Sequence, residues 1–518
     1  MDDITKIGTG GGYGGHRVVP NHAAAVAAAM RAGVDMELVG KWNRLLTKEI
    51  SEGRFDQAIL DRAVTRVLRA KLTLIGLGAS AASTGNDATW QAIQGYRGDD
   101  DVWAKHIAAG EFDTPEGARR PDWQRIVADP AHDALALEAA RKAIVLLKNA
   151  GGLLPLDPQR HRRVLIAGPL ATTVNIGGYS PGKPKRFVDL PKGLESLGNG
   201  MSIQVVPGCR LPSGNPRWGK NLEGAPLESE MEAVKDQDLI AEAVAQAAQS
   251  NVIVAMVGHA RRHLGENLDR DNLDLPGAQQ ALVEALQATG KPVVVVLTGG
   301  NVHAVGWIKE HVPAVIQAFY LGQETGTALA QVLVGAAVPG GRLPISVPRS
   351  IGQLPWYYNH PLLTGPVNYF GPNLDPKGRG GPMWAFGHGL SYTTFAYGKP
   401  VLQGTLSKTG AATVTVEVTN TGAREGDEVV QCYLRQDFTS LTRPVMELKG
   451  FSRITLAPGE HRTVSFPIGL RDIRFWKERQ GWVAEPGPVR VMIGAASDDV
   501  RGEVVLTPDL PGAVPAGD

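Results

Sequence analysis

The chain holds only two cysteines in 518 residues, Cys209 and Cys432. That excludes a disulfide framework; one bridge between them is the most that could form, and two small buried fillers are the simpler expectation. Excess charge of either sign is missing too. The 53 basic and 52 acidic residues leave a formal +1, so nothing electrostatic favours nucleic acid or an anionic membrane as a partner. No apolar run reaches the ~18 residues of a membrane span, and no transmembrane helix is expected. The opening "MDDITKIGTGGGYGG" lacks the charged-then-apolar layout of a secretory signal. No G-x-S-x-G elbow occurs, which disfavours an α/β-hydrolase. The 12 histidines form no Cys/His cluster, so neither a metal centre nor a cofactor is predicted. A formal G-x-G-x-x-G, Gly10 to Gly15, has no strand before it and reads as a flexible loop, not a dinucleotide site.

What is present can build cores. Apolar residues make up 43% and charged residues 20% of the chain, and the length suggests about three domains. "NHAAAVAAAMRAG" fits a helix stopped at Gly33. "VDMEL" reads as a short buried strand. "NRLLTKEISEG" and "DQAILDRAVTRVLRAKLTLIGL" carry apolar residues at helical spacing, as at Ile59, Ala63 and Val67. Residues 79–130 mix Gly, Asp and Pro and read as a linker or insertion. From 131 to 350 the pattern is regular. "RRVLIAG", "IQVVPG", "NVIVAMVG", "KPVVVVLTGG" and "PAVIQAFYLG" are continuous apolar runs with helices such as "LIAEAVAQAAQS" between them. Such runs mean strands covered on both faces, hence an α/β sandwich with a mostly parallel sheet. A Pro/Gly/Tyr-rich linker spans 351–397. Beyond it, alternating strands such as "ATVTVEVTNTG" and "RTVSFPI" predict an antiparallel β-sandwich over 398–518.

The stretch "GENLDRDNLDLPG" follows a buried strand directly and offers a carboxyl group, Glu266, on a loop. Loops beyond the carboxyl ends of parallel strands are where α/β folds place ligand groups. Glu266 could be a proton donor; a solvated charged loop is the plainer reading. Asp269 and Arg270 could form an ion pair that fixes the loop. Trp356, Tyr357, Tyr358, Trp384 and Phe386 could stack on sugar rings or pin the linker they belong to.

Taken together, the motifs resemble glycoside hydrolase family 3. "GENLDRDNLDLPGAQQALVEAL" is similar to that family's acid/base loop, where Glu-Gly-x-Asp-Arg precedes Leu-x-Leu-Pro-Gly. "AGVDMEL", "EAARKAIVLLKNAGGLLPL", "VPGGRLPISVPRS", "AFGHGLSYTTF" and "VTNTGAREGDEVVQCYLRQ" agree in order and spacing. The resemblance implies a remnant of a (β/α)8 barrel over 1–78, then the α/β sandwich, then a C-terminal fibronectin type III-like domain. It also implies Glu266 as general acid/base, with Asp269 and Arg270 as substrate-binding residues. Asn267 stands where the family usually has Gly.

Retaining glycosidases need a second carboxyl group ~5 Å from the first. The resemblance places it in a Ser-Asp-(Trp/Cys/Ala) stretch, and no such stretch precedes "AGVDMEL" here. Asp2 and Asp3 fall too late to replace it, and Asp35 is expected to make structural hydrogen bonds. The sequence therefore predicts a family 3 β-glycosidase chain without its nucleophile and inactive alone. Its expected substrates are β-linked glucosyl or xylosyl oligosaccharides or aryl glycosides. A barrel remnant should leave apolar edges uncovered, so a homodimer or a complementing chain is a conceivable partner. The alternative is a non-catalytic carbohydrate-binding or scaffold unit. Relatives are often periplasmic or secreted, and the sequence itself leaves the compartment open.

Overall fold

A computed structural model describes residues 19, 21–36, 42–74, 129–177, 180, 187–213, 226–227, 229, 231–265, 268–361 and 380–516. The chain divides into two compact units, Met1–Val127 and Ala128–Asp518.

In the first unit lie helices α1 (His22–Arg31), α2 (Trp42–Ser51) and α3 (Gln57–Leu74). Asn21 caps α1 by accepting the Ala24 N–H at 2.9 Å, which satisfies one orphan donor of the first turn. Gly33, at φ +98°, ends it. Val26, Met30, Leu46, Phe55 and Ala63 share a small apolar cluster. The strand predicted at "VDMEL" does not form over residues 34–36, and Met36 is 61% exposed. A strand needs a neighbour to bond, and none pairs there among the described residues. Asp35 instead grips the Arg66 guanidinium on both oxygens at 2.5–2.9 Å, as the sequence expectation of a structural role requires.

The second unit begins with α4 (Pro130–Ala143) and β1 (Val145–Asn149). There follow β2 (Arg163–Ala167), α5 (Leu190–Glu195), β3 (Ser202–Val206), α6 (Asp236–Ala247) and β4 (Val252–Gly258). Then come α7 (Gln279–Ala288), β5 (Val293–Thr298), α8 (Gly306–His311), β6 (Ala314–Phe319) and α9 (Thr325–Leu333). The sheet order is β1-β6-β5-β4-β2-β3. All pairs are parallel except β1 with β6. Alternation along β4 explains its wholly apolar sequence. Val252, Val254 and Met256 pack with α4, α5 and α9 on one face. Ile253, Ala255 and Val257 pack with α6, α7 and α8 on the other.

Three short strands, β13 (Phe475–Lys477), β14 (Gly481–Ala484) and β17 (Val514–Pro515), form a small sheet of their own, and the other remaining strands make a β-sandwich. One sheet runs β11 (Glu447–Leu456), β10 (Gly426–Gln436), β15 (Val489–Ala496), β16 (Asp499–Leu506). The other joins β12 (His461–Ile468), β9 (Ala412–Asn420) and β7 (Phe395–Tyr397), with β8 (Val401–Gly404) also on β9. Here the pattern is period two: Ala412, Val414, Val416 and Val418 are buried while the residues between them are not. The sandwich is tied to the α/β layer by Tyr392 Oη, which donates to the Val332 carbonyl at 2.9 Å, and by Arg453 Nη1, which donates to the Gly340 carbonyl at 3.0 Å. No helix among the described residues is long and apolar enough to cross a membrane.

Candidate functional site: the loop leaving β4

The chain enters β2, moves outward to β3, then returns to place β4 on the other side of β2. That reversal opens a crevice beyond the carboxyl ends of β2 and β4, the usual ligand position in such sheets. Loops from both strands meet there. Asn175, 2% exposed, donates its Nδ2 to the His259 carbonyl at 2.5 Å. Arg261 Nη2 donates to the Ser180 carbonyl at 3.4 Å.

Departure from β4 depends on Gly258. Its φ is +132°, and a Cβ would lie 2.0 Å from the Thr298 carbonyl oxygen, so only glycine lets the backbone turn there. Gln279, fully buried at the start of α7, closes the far end of the loop. Its Oε1 accepts the Gly258 N–H at 2.7 Å; its Nε2 donates to the carbonyls of Gly258 at 3.0 Å and Pro276 at 2.8 Å. One side chain thus binds where the loop leaves the sheet to where it comes back.

Between those anchors lies a cluster of imidazoles. His259 and His303 stack with centroids 4.8 Å apart and planes 12° apart. His259 Nδ1 is 2.7 Å from His303 Nε2 and 3.1 Å from Arg270 Nη1. A guanidinium can only donate, so His259 Nδ1 is an acceptor. His303 Nε2 must then carry the hydrogen between the rings, and His259 holds its own proton on Nε2. His303 Nδ1 is left as a buried lone pair with no partner among the described residues. Burial pushes His303 down to about 3. Burial first, then the His303 and Arg270 neighbours, pushes His259 down to about 2. Both rings are therefore neutral near pH 7. His263 is also lowered, chiefly by burial; its Nε2 donates to the Pro212 carbonyl at 2.7 Å and its Nδ1 accepts the Ala260 N–H at 3.2 Å.

Arg270 is the hub. Its Nε donates to the Asn272 carbonyl at 3.2 Å. Its Nη2 donates to Asn272 Oδ1 at 3.2 Å and to the Asp274 carbonyl at 2.9 Å. Asp269, next in sequence, stays exposed. The ion pair predicted between these two is replaced by carbonyl and imidazole acceptors, because the tight return of the loop presents those atoms to the guanidinium. A cavity of about 460 Å³ opens beside this cluster, lined by His259, Arg262, His263, Asp269, Arg270 and Asp274 among others. Glu266 and Asn267 lie outside the described residues, as do Asp2, Asp3 and the glycines from Gly10 to Gly15.

The comparisons with known proteins agree with this architecture. Residues 144–392 match the glycosyl hydrolase family 3 C-terminal domain, and residues 428–497 match a fibronectin type III-like domain. The chain belongs to glycoside hydrolase family 3. A β-xylosidase from Formosa agariphila is 34% identical over 508 residues, covering 94% of this chain and 62% of that protein. A periplasmic β-glucosidase from Salmonella typhimurium is 36% identical over 502 residues, covering 94% and 60%. Among solved structures, a Listeria innocua β-glucosidase mutant in complex with laminaribiose superposes with a TM-score of 0.75 at 27% identity, over 95% of this chain and 60% of that one. The family 3 chain thus spans about three-fifths of the length of the relatives it matches.

Sequence reasoning missed much of this family 3 loop. His259 and His263 stand at H-x-x-x-H spacing, which departs from the expectation that the histidines form no such pattern. They sit around a 3-10 turn rather than on one α-helical face, and their bonded nitrogens point at backbone and at each other's neighbours. Among the described residues no group of three His, Cys, Asp or Glu could hold a metal ion. Gln279, Asn175 and His303 carried no motif at all. Of the aromatic residues, three pin the chain. Tyr358 stacks on Phe386 at 4.1 Å and its hydroxyl accepts the Leu448 N–H at 3.2 Å. Trp384, 5% exposed, lies under Lys309 Nζ at 5.1 Å. Cys209 and Cys432 are free and buried, and burial pushes both thiols up to about 12.

Proposed function

We propose that this chain carries the proton-donor side of a retaining β-glycosidase, acting on terminal β-D-glucosyl or β-D-xylosyl residues of oligosaccharides or glycosides. Glu266 is the general acid/base. It protonates the leaving oxygen while a carboxylate attacks the anomeric carbon, then takes a proton from the water that hydrolyses the glycosyl-enzyme. The observation that carries this reading is the loop from Gly258 to Pro276, pinned at both ends by Gln279 at the crevice of a parallel sheet. A donor must be held in place, and that clamp fixes the described stems on either side of it.

Asp269, exposed on the cavity wall, is assigned to sugar hydroxyls. Arg270 has five N–H groups, and its bonds to Asn272, Asp274 and His259 leave one for a ligand oxygen. The attacking carboxylate has no matching motif in the 518 residues, so the chain alone turns over no glycoside.

Two assays test this. The purified chain is offered aryl β-glucoside and β-xyloside; turnover would refute the missing nucleophile. Next, the chain is fused behind the barrel region of the Salmonella relative. Turnover is expected, and Glu266→Gln should lower it by about 10²–10⁴-fold, most for poor leaving groups, with azide restoring rate. Equal rates in the fusion and its Glu266→Gln variant would remove Glu266 from the mechanism. A fusion that folds, binds sugar and still shows no chemistry favours the scaffold alternative.

A further inference from the structure

A second cavity, of about 450 Å³, lies in the seam between the α/β layer and the β-sandwich. It shares no lining residue with the cavity beside the β4 loop, and its size falls within the ~300–1,000 Å³ of small-molecule sites. Its charged walls are Arg342, Glu428, Asp499 and Arg501, and the rings of Phe395 and Tyr397 line it as well.

The charges cancel in pairs. Arg342 Nη2 donates to both oxygens of Glu428 at 3.1 Å. Arg501 grips Asp499 through Nε at 2.5 Å and Nη2 at 2.6 Å, with its guanidinium 5.7 Å above the Tyr397 ring. An anion entering here meets two carboxylates, and a cation meets two guanidinium groups. Neither gains net attraction.

Hydrogen-bonding capacity is nevertheless left over, of both kinds. The Arg342 side chain is only 8% exposed, and its buried Nε has no partner among the described residues. His388 donates Nε2 to the Leu147 carbonyl at 3.0 Å, and burial holds the ring neutral, so Nδ1 is a lone-pair acceptor. Among the described residues the Ser391 hydroxyl is engaged only by the Thr393 N–H at 3.5 Å, as an acceptor, which leaves its hydrogen to give. Unused donors beside unused acceptors suit a group that does both, the hydroxyl. Half-buried aromatic rings suit the C–H face of a pyranose.

We propose that this seam is a second carbohydrate site, taking a neutral mono- or disaccharide. The Ser391 hydroxyl donates to a sugar oxygen, His388 Nδ1 accepts from a sugar hydroxyl, and Arg501 with Asp499 forms the polar rim. The site does not depend on Glu266 or on turnover.

The test is titration calorimetry and saturation-transfer NMR on the whole 518-residue chain, with methyl β-D-glucoside and cellobiose as probes. Binding with a millimolar dissociation constant is expected. Arg501→Ala should weaken it by about tenfold or more, and Ser391→Ala by about threefold, each with an unchanged thermal midpoint as the folding control. Arg270→Ala should leave this binding in place. Binding lost in Arg270→Ala but kept in both seam variants would put the sugar in the β4 cavity and overturn the proposal. So would no binding of either probe, or displacement of bound sugar by millimolar inorganic phosphate.

Discussion

Arg270 and Arg342 are two guanidinium groups drawn away from bulk water, and their surroundings differ in kind. Arg342 meets a carboxylate, Glu428, with Tyr397 Oη and the Val429 N–H completing the same acceptor at 3.1 Å each. Arg270 meets no carboxylate among the described residues. Its partners are two backbone carbonyls, an amide oxygen and the lone pair of a neutral histidine. The first arrangement neutralises the charge and locks two layers together. The second holds the side chain while leaving its positive charge facing a cavity, at the cost that His259 and His303 must stay unprotonated. A seam that pairs its guanidinium with a carboxylate and a loop that pairs it with neutral acceptors solve one desolvation problem in two ways.

The sharpest way to break the comparison is Glu428→Ala. It strands Arg342 in the seam and should cost about 3–5 kcal/mol, read as a lower denaturant midpoint for the unit spanning 128–518. An unchanged midpoint would mean that water already satisfies the seam.

Acid probes the other side. His303 falls to about 3 in the folded chain against about 6.5 unfolded. The unfolded chain therefore binds the proton first. Stability is fully present above about pH 6.5 and drains away as pH falls toward the folded value, by about 1.4 kcal/mol per pH unit for this ring. Urea titrations at pH 7, 6 and 5 should show that slope, and His303→Asn should flatten it by the same amount. An identical slope in the variant would mean that the imidazole pair does not govern it.

Gln279→Ala should cost about 1–3 kcal/mol, since it leaves Gly258 and Pro276 groups unpaired. Hydrogen exchange at Gly258 should quicken with it. At the small end stands Glu138→Ala. Its pair with Lys142 is solvent-exposed, and the midpoint should not move.

The sequence made some of this legible and hid the rest for physical reasons. β4, β5 and β6 were readable because helices cover both faces of the sheet, so every position is apolar. α9 was not, because it is buried almost all round and shows no polar face for periodicity to detect. "VLLKN" reads like any other buried strand, and nothing local tells that β1 pairs antiparallel at the sheet edge. At the loop, Asp269 and Arg270 are neighbours in sequence, which suggested a pair. The real partners of Arg270 are set by how the chain doubles back, and His259 and His303 meet across 44 positions. Contacts of that range leave no spacing to read.

The Gln279 clamp has an engineering consequence. A segment whose two stems are stapled by one buried amide keeps its entry and exit in place, while Leu275 still packs into the core below the sheet and Arg270 still bonds His259. An exchange within Arg261 to Leu275 should therefore leave the sheet intact only where His263, Arg270 and Leu275 are kept along with the glycine and the amide at the stems.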